Sequence, residues 1–250
     1  MRKTILALAI AALALGTSCN KLQSRDHLNK GVQAFTAAQY PEAVEHFKTA
    51  VELDPNFPTA RLYLATAYMQ QYIPGADSPE NMKMASEAFN QFQKVLEQDP
   101  KDSVAIASIA SLNLNQKKWD EAQQWFDKLI AVEPNNADAY YSMGFIAWSK
   151  WYPAYGTARA NLGMKQEDPG PIKDKKVKEE LKQKWTPVID AGLASFTGGC
   201  AGLAPGAAWY FDGHLAAMVF AWKVPSTPSL PSAIACALSR NVSGSGSFPM

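Results

Sequence analysis

Side chains that could do chemistry are thinly spread in this sequence. Its histidines are His27, His46 and His214, and its cysteines are Cys19, Cys200 and Cys236. None stand at the short spacings with which a segment wraps a zinc ion. Two carboxylate neighbours occur, Asp120–Glu121 and Glu179–Glu180. Both lie in charged stretches of helical character, where a solvated face is the expected state rather than a paired acid and base. The chain has no Gly-rich phosphate loop, HExxH, GxSxG or CxxC, the short motifs that carry phosphate, zinc, acyl-transfer and dithiol chemistry. Cys200 and Cys236 could pair in an oxidising compartment. The densest group is aromatic: Trp148, Trp151, Tyr152 and Tyr155. Such rings either stack on a sugar or bury in a core, and burial is the expected fate here. The residues therefore predict no enzyme, no cofactor and no bound metal. A formal net charge of +1 lacks the basic surplus of a nucleic-acid binder.

The elements that position these residues follow from a repeat. Pro55, Pro100 and Pro134 end the related strings VELDPN, LEQDPK and AVEPNN, with gaps of 45 and 34 residues. Phe47, Phe92 and Phe126 keep the same gaps, as do Ala43, Ala88 and Ala122. In the first half of each unit, Gly31, Ala65, Ala110 and Gly144 stand 34, 45 and 34 residues apart. One insertion of 11 residues therefore lies between Ala65 and Ala88, where residues 72–79 read as a loop. A small residue one turn from a phenylalanine shares its helix face. Each proline ends a helix, because it lacks an N–H and restricts its predecessor.

This pattern resembles the tetratricopeptide repeat (TPR), a helix–turn–helix unit. The resemblance implies an all-α solenoid with three regular repeats and a fourth, interrupted one. The helix pairs are expected at about 24–37 with 41–54, 58–72 with 80–98, and 103–115 with 119–132. Turns are expected at Tyr40–Pro41, near Lys118–Trp119, and after Pro55, Pro100 and Pro134. A fourth first helix starts near Ala137 and runs through Ala147. Its partner, Lys173 to Phe196, is displaced by an insertion from Trp148 to Pro171, and Gly192 and Phe196 fill the Ala-x-x-x-Phe slots.

The two ends differ from this body. Arg2 and Lys3 precede an apolar run of 11 residues from Ile5 to Leu15, then small residues and Cys19. That is the layout of an export signal, and the run is too short for a stable bilayer span. The small residues before Cys19 resemble the lipobox of bacterial lipoproteins, with Gly16 where that family prefers Leu. The resemblance implies acylation of Cys19 and a periplasm-facing protein anchored to the membrane; ordinary cleavage after Ser18 is the alternative. Past Phe196 the sequence loses its charge: residues 197–250 hold only Asp212, Lys223 and Arg240, with 19 Gly, Pro or Ser. No TPR continues that way, so an irregular tail is expected. It is either a low-complexity extension or the product of a slipped reading frame. The organisation read from the sequence is thus 1–18 signal, 19–23 linker, 24–196 repeat domain and 197–250 tail.

In TPR proteins the first helices line a concave groove where partners lie. The register carries this to Leu28, Val32 and Phe35; Leu62, Thr66 and Met69; Ala107, Ser111 and Leu114; and Tyr141, Phe145 and Trp148. TPRs that clamp acidic chaperone C-termini use Lys, Asn and Arg where this chain has Leu28, Val32, Tyr63, Val104 and Ser108, so a carboxylate clamp is not expected. His27 occupies a slot often held by Trp, which implies packing. The function expected is a non-catalytic envelope scaffold that binds a protein or peptide through an apolar groove. The alternative is a glycan binder built on the cluster around Trp151.

Overall fold

A computed structural model describes residues 2–165 and 172–201, with side chains at 19–165, 172–192 and 194–195. The remaining tail, the Cys200–Cys236 pairing, the Phe196 side chain and residues 166–171 of the insertion lie outside the described residues. Among those described, all regular structure is helical. The chain falls into two compact units, Met1–Lys118 and Trp119–Met250.

The first unit holds α1 (Arg2–Thr36), α2 (Tyr40–Leu53), α3 (Pro58–Gln71), α4 (Pro79–Gln98) and α5 (Ser103–Asn115). Helix α1 runs unbroken from the export-type segment into the first repeat. No helix of the described residues is long and apolar enough to cross a membrane. The first turn is Ala37–Gln39, and α2 starts on Tyr40 with Pro41 in its first turn, so the turn precedes the Tyr40–Pro41 pair expected to form it. A proline there gives up only an N–H that the helix start leaves unpaired anyway.

Turn chemistry recurs in register. Asp54, Asp99 and Glu133 each accept at their carbonyl from the N–H three residues on, at 3.1, 3.1 and 3.0 Å. The residue reached, Phe57, Asp102 or Asn136, is the N-cap of the next helix. The Asp102 and Asn136 side chains accept from Ala105 N at 2.8 Å and Ala139 N at 2.9 Å, as short polar caps do. At the other turns α1 and α5 end in left-handed residues, Ala38 (φ 59°) and Lys117 (φ 57°). Gln39 N and Lys118 N reach back to Ala34 O and Asn113 O, each at 2.9 Å, which is the Schellman closure usually made by glycine.

The small and large residues of the pattern form the core. Ala43, Phe47, Ala65, Ala88, Phe92 and Ala110 are wholly buried. A Cβ at Gly31 would stand 2.5 Å from the Phe47 ring, so only glycine allows that approach of α1 to α2. Buried Arg61 donates to Gln91 Oε1 and to Pro55 O, both at 3.0 Å, tying the first Asp-Pro turn to α4. The 11-residue insertion divides into four residues of loop, six of α4 and one of α3, relative to the helix lengths of the next repeat. Buried Asn81 organises it. Its Oδ1 accepts from Ile73 N at 2.7 Å, and its Nδ2 donates to Ile73 O at 2.8 Å and Ala76 O at 2.7 Å.

The second unit holds α6 (Trp119–Val132), α7 (Ala137–Asn161) and α8 (Lys175–Ala201). Two expectations are corrected here. Helix α7 does not stop near Trp148 but continues to Asn161 through Pro153, so the first half of the insertion is helix. Pro153 costs one backbone bond and a clash with the preceding turn, and burial of Trp151 and Tyr155 on either side offsets this. Helix α8 outlasts Phe196 and ends at Ala201, so loss of charge alone does not end it. Its start is capped by Asp174, whose Oδ1 accepts from Val177 N at 3.0 Å. Ala147, Trp151, Tyr155, Ile172 and Ile189 form the core between α7 and α8, with Trp148, Leu181 and Trp185 packed on it.

Candidate functional site

Within the first unit the strip read from the register is Leu28, Val32 and Phe35 on α1, Leu62, Thr66 and Met69 on α3, and Ala107, Ser111 and Leu114 on α5. All nine are half-buried. On each helix the inward neighbours are buried instead: Ala34 on α1, Leu64, Ala65 and Tyr68 on α3, Ile106, Ile109 and Ala110 on α5. The steps of four and three residues keep each triad on one helix face. Thr66 donates its hydroxyl back to Leu62 O at 2.8 Å, which satisfies the polar group locally and leaves the methyl for contact. Phe35 lies edge-on to Tyr40 at 5.3 Å. Of the clamp positions, Leu28, Val32 and Ser108 are half-buried while Tyr63 and Val104 are exposed. None carries a cation, and Tyr63 stacks on Phe47 at 5.5 Å.

In the second unit Tyr141, Phe145 and Trp148 are also half-buried, but they belong to an aromatic succession. Trp119 meets Phe145 edge-on at 6.4 Å, Phe145 meets Trp148 at 5.9 Å, and Trp148 stacks on Tyr152 at 4.9 Å. Trp151 then stacks on Tyr155 at 5.2 Å and is wholly buried. A sugar platform needs an open ring face; Trp151 and Tyr155 are buried and offer none, while Trp148 is half-buried and Tyr152 exposed.

Where α6, α7 and α8 converge, a cavity of about 220 Å³ is lined by Gln123, Met143, Ala147, Lys150, Val188 and Gly192 among others. Lys150 donates to Asp120 Oδ1 at 2.6 Å and to Gln123 Oε1 at 3.1 Å. The sequence carried no signal for this cavity, because it depends on where the displaced α8 lands. The carboxylates of Asp120, Glu121, Glu179 and Glu180 are exposed, as solvated faces should be. The Lys30 hydrogen bond lowers the Asp26 pKa. The Glu45 hydrogen bond raises that of Lys48, and burial raises those of Tyr68 and Tyr72. Each shift moves its group further from neutrality, the reverse of what acid–base work at pH 7 selects.

Comparison with known proteins agrees with the register. Residues 38–71 match a family model described as TPR repeat, and residues 82–143 match one described as tetratricopeptide repeat. The mitochondrial import receptor subunit TOM70 of Rattus norvegicus is 28% identical over 105 residues, 42% of this chain and 17% of that protein. Hsp70-Hsp90 organizing protein 2 of Arabidopsis thaliana is 28% identical over 109 residues, 44% of this chain and 17% of that protein. The chain thus spans about a sixth of the length of these relatives. A crystal structure of MamA protein superposes with a TM-score of 0.48 at 15% identity, covering 91% of this chain and 98% of that one; a match of that quality does not separate one array of helical hairpins from another. Within residues 38–71 and 82–143 these matches, set on hairpins whose turns repeat in register, identify tetratricopeptide repeats.

Proposed function

We propose that the chain is a non-catalytic scaffold of the bacterial cell envelope that holds a segment of another polypeptide against the first helices of its repeats. One observation carries this reading: the strip along α1, α3 and α5 is apolar, half-buried and without a cation. An extended or helical segment with apolar anchors suits such a surface, whereas an acidic terminus would find no counter-charge there. The similarity to an import receptor subunit and to an organizing protein favours a polypeptide partner over a small molecule. Wholly buried Trp151 weighs against the glycan alternative.

The envelope setting rests on the export-type segment and on Cys19, which is exposed. Acyl chains there would hold the protein to the membrane, since each buried methylene contributes about 0.8 kcal/mol. A pulldown from envelope extracts with the full chain and with Val32→Asp and Met69→Asp tests the binding reading. Polypeptides captured by the parent and lost from both variants support it. Equal capture by all three overturns the strip, and retention on insoluble wall without protein favours the glycan alternative. Cys19→Ser tests the anchor separately: the protein should move from the membrane fraction to the soluble one, and unchanged fractionation would reject lipidation.

A further inference from the structure

His27 on α1 and His46 on α2 are 19 residues apart in sequence, yet their Nδ1 atoms face each other at 3.3 Å. The ring centroids stand 5.5 Å apart and the planes are tilted by 48°. Both side chains are half-buried, so water and ions reach them from one side. An N–H···N contact of this length lies at the long edge of hydrogen bonding, beyond the range of about 2.7–3.2 Å usual for N–H···O. It also matches a second geometry. With Zn–N bonds of about 2.0–2.1 Å and tetrahedral angles, two ligand nitrogens stand about 3.3–3.4 Å apart.

The backbone on both sides holds this spacing. Three residues before His27, buried Ser24 donates its hydroxyl to Ala50 O at 2.7 Å. Four residues after it, Gly31 lies against the Phe47 ring, next in sequence to His46. The helices are thus locked together before any ion arrives, and the two nitrogens are set by the crossing rather than by flexible side chains. Such preorganisation is what a ligand pair needs. Beside His27 on α1, Asp26 bonds to Lys30 at 2.7 Å.

We propose that His27 and His46 form a two-histidine site for a borderline divalent transition-metal ion of the zinc, nickel or copper class, which bridges α1 to α2. Imidazole pairs suit these ions, whereas magnesium and calcium prefer oxygen. Water completes the coordination. Binding stabilises the first hairpin, because the unfolded chain holds the two rings far apart.

The test uses the full chain and nickel chloride at sub-millimolar concentration. The ring proton signals of His27 and His46 should broaden together with a stoichiometry of one ion, ahead of any change at His214. The melting temperature should rise by several degrees and fall back on adding EDTA. His27→Gln and His46→Gln should each abolish the binding and the rise, whereas His214→Gln and Cys200→Ser should keep both. Binding that survives in the His27 and His46 variants, or ring signals in the unaltered chain that do not respond, would overturn the site; the second readout holds even if a variant folds poorly.

Discussion

The hairpins α3–α4 and α7–α8 both depart from the 34-residue period, and they absorb their extra residues by opposite means. In α3–α4 the surplus is small and is handled with hydrogen bonds. Asn81 makes three of them to Ile73 and Ala76, while Ser78 caps α4 by accepting from Asn81 N at 3.2 Å. The loop keeps Ile73 exposed and adds little apolar core. In α7–α8 the surplus is larger and is handled with apolar mass: α7 lengthens, and Trp151, Tyr155 and Ile172 build a core with Ile189 of α8. The difference follows from what each segment offers. A short insertion cannot bury enough surface to offset the entropy of ordering it, at about 1–2 kcal/mol per residue, and depends on satisfied backbone groups. One rich in Trp and Tyr can.

The comparison breaks first at Trp151. Truncating a wholly buried tryptophan should cost about 3–5 kcal/mol, so Trp151→Ala should lower the thermal midpoint markedly. A loss under about 1 kcal/mol would mean that α7 and α8 are held by something other than this core. In the smaller insertion, Asn81→Ala should cost about 2–3 kcal/mol, since it removes three hydrogen bonds made by a buried side chain, and should speed proteolysis or amide exchange at residues 72–78. An Ala variant as stable as the parent would show that the loop is held otherwise.

Trp148 separates packing from binding. It stacks on Tyr152 and sits on the α7–α8 core, so Trp148→Ala should cost about 2 kcal/mol of stability. On the α1–α3 strip, Met69→Ala should leave the melt nearly intact and weaken partner binding, by about 2 kcal/mol if it is an anchor. Binding there should change little with salt, as an apolar contact requires. A Trp148 variant that melts normally and binds weakly would return that residue to the binding surface. The smallest effect is expected at the turns. Ala38→Gly and Lys117→Gly relieve a left-handed strain and should each stabilise by about 0.5–1 kcal/mol; Gly163 already ends α7 in that conformation (φ 71°).

The first six repeat helices were legible because their signal is local and periodic. Gly31, Ala65 and Ala110, like Phe47, Phe92 and Phe126, mark the buried face of their own helices, and the Asp-Pro and Glu-Pro strings mark turns by backbone chemistry that acts within a few residues. The half-buried face beside it was legible for the same reason: once the buried face of α1, α3 or α5 is known, the adjoining face follows from the helical period. The end of α7 was not. Pro153 reads as a breaker from local chemistry, and only burial of Trp151 and Tyr155 against α8 explains why the helix runs on.

By itself, then, the sequence determined the helices of the regular repeats, their approximate turns and the face each one buries, since these follow from the 3.6-residue period and from side chains acting on their own backbone. Tertiary structure alone decided which remote side chains meet. His27 with His46 and Arg61 with Gln91 are separated by 19 and 30 residues. Their distances depend on how closely two helices cross, and that is set by the packed volume between them rather than by any spacing along the chain.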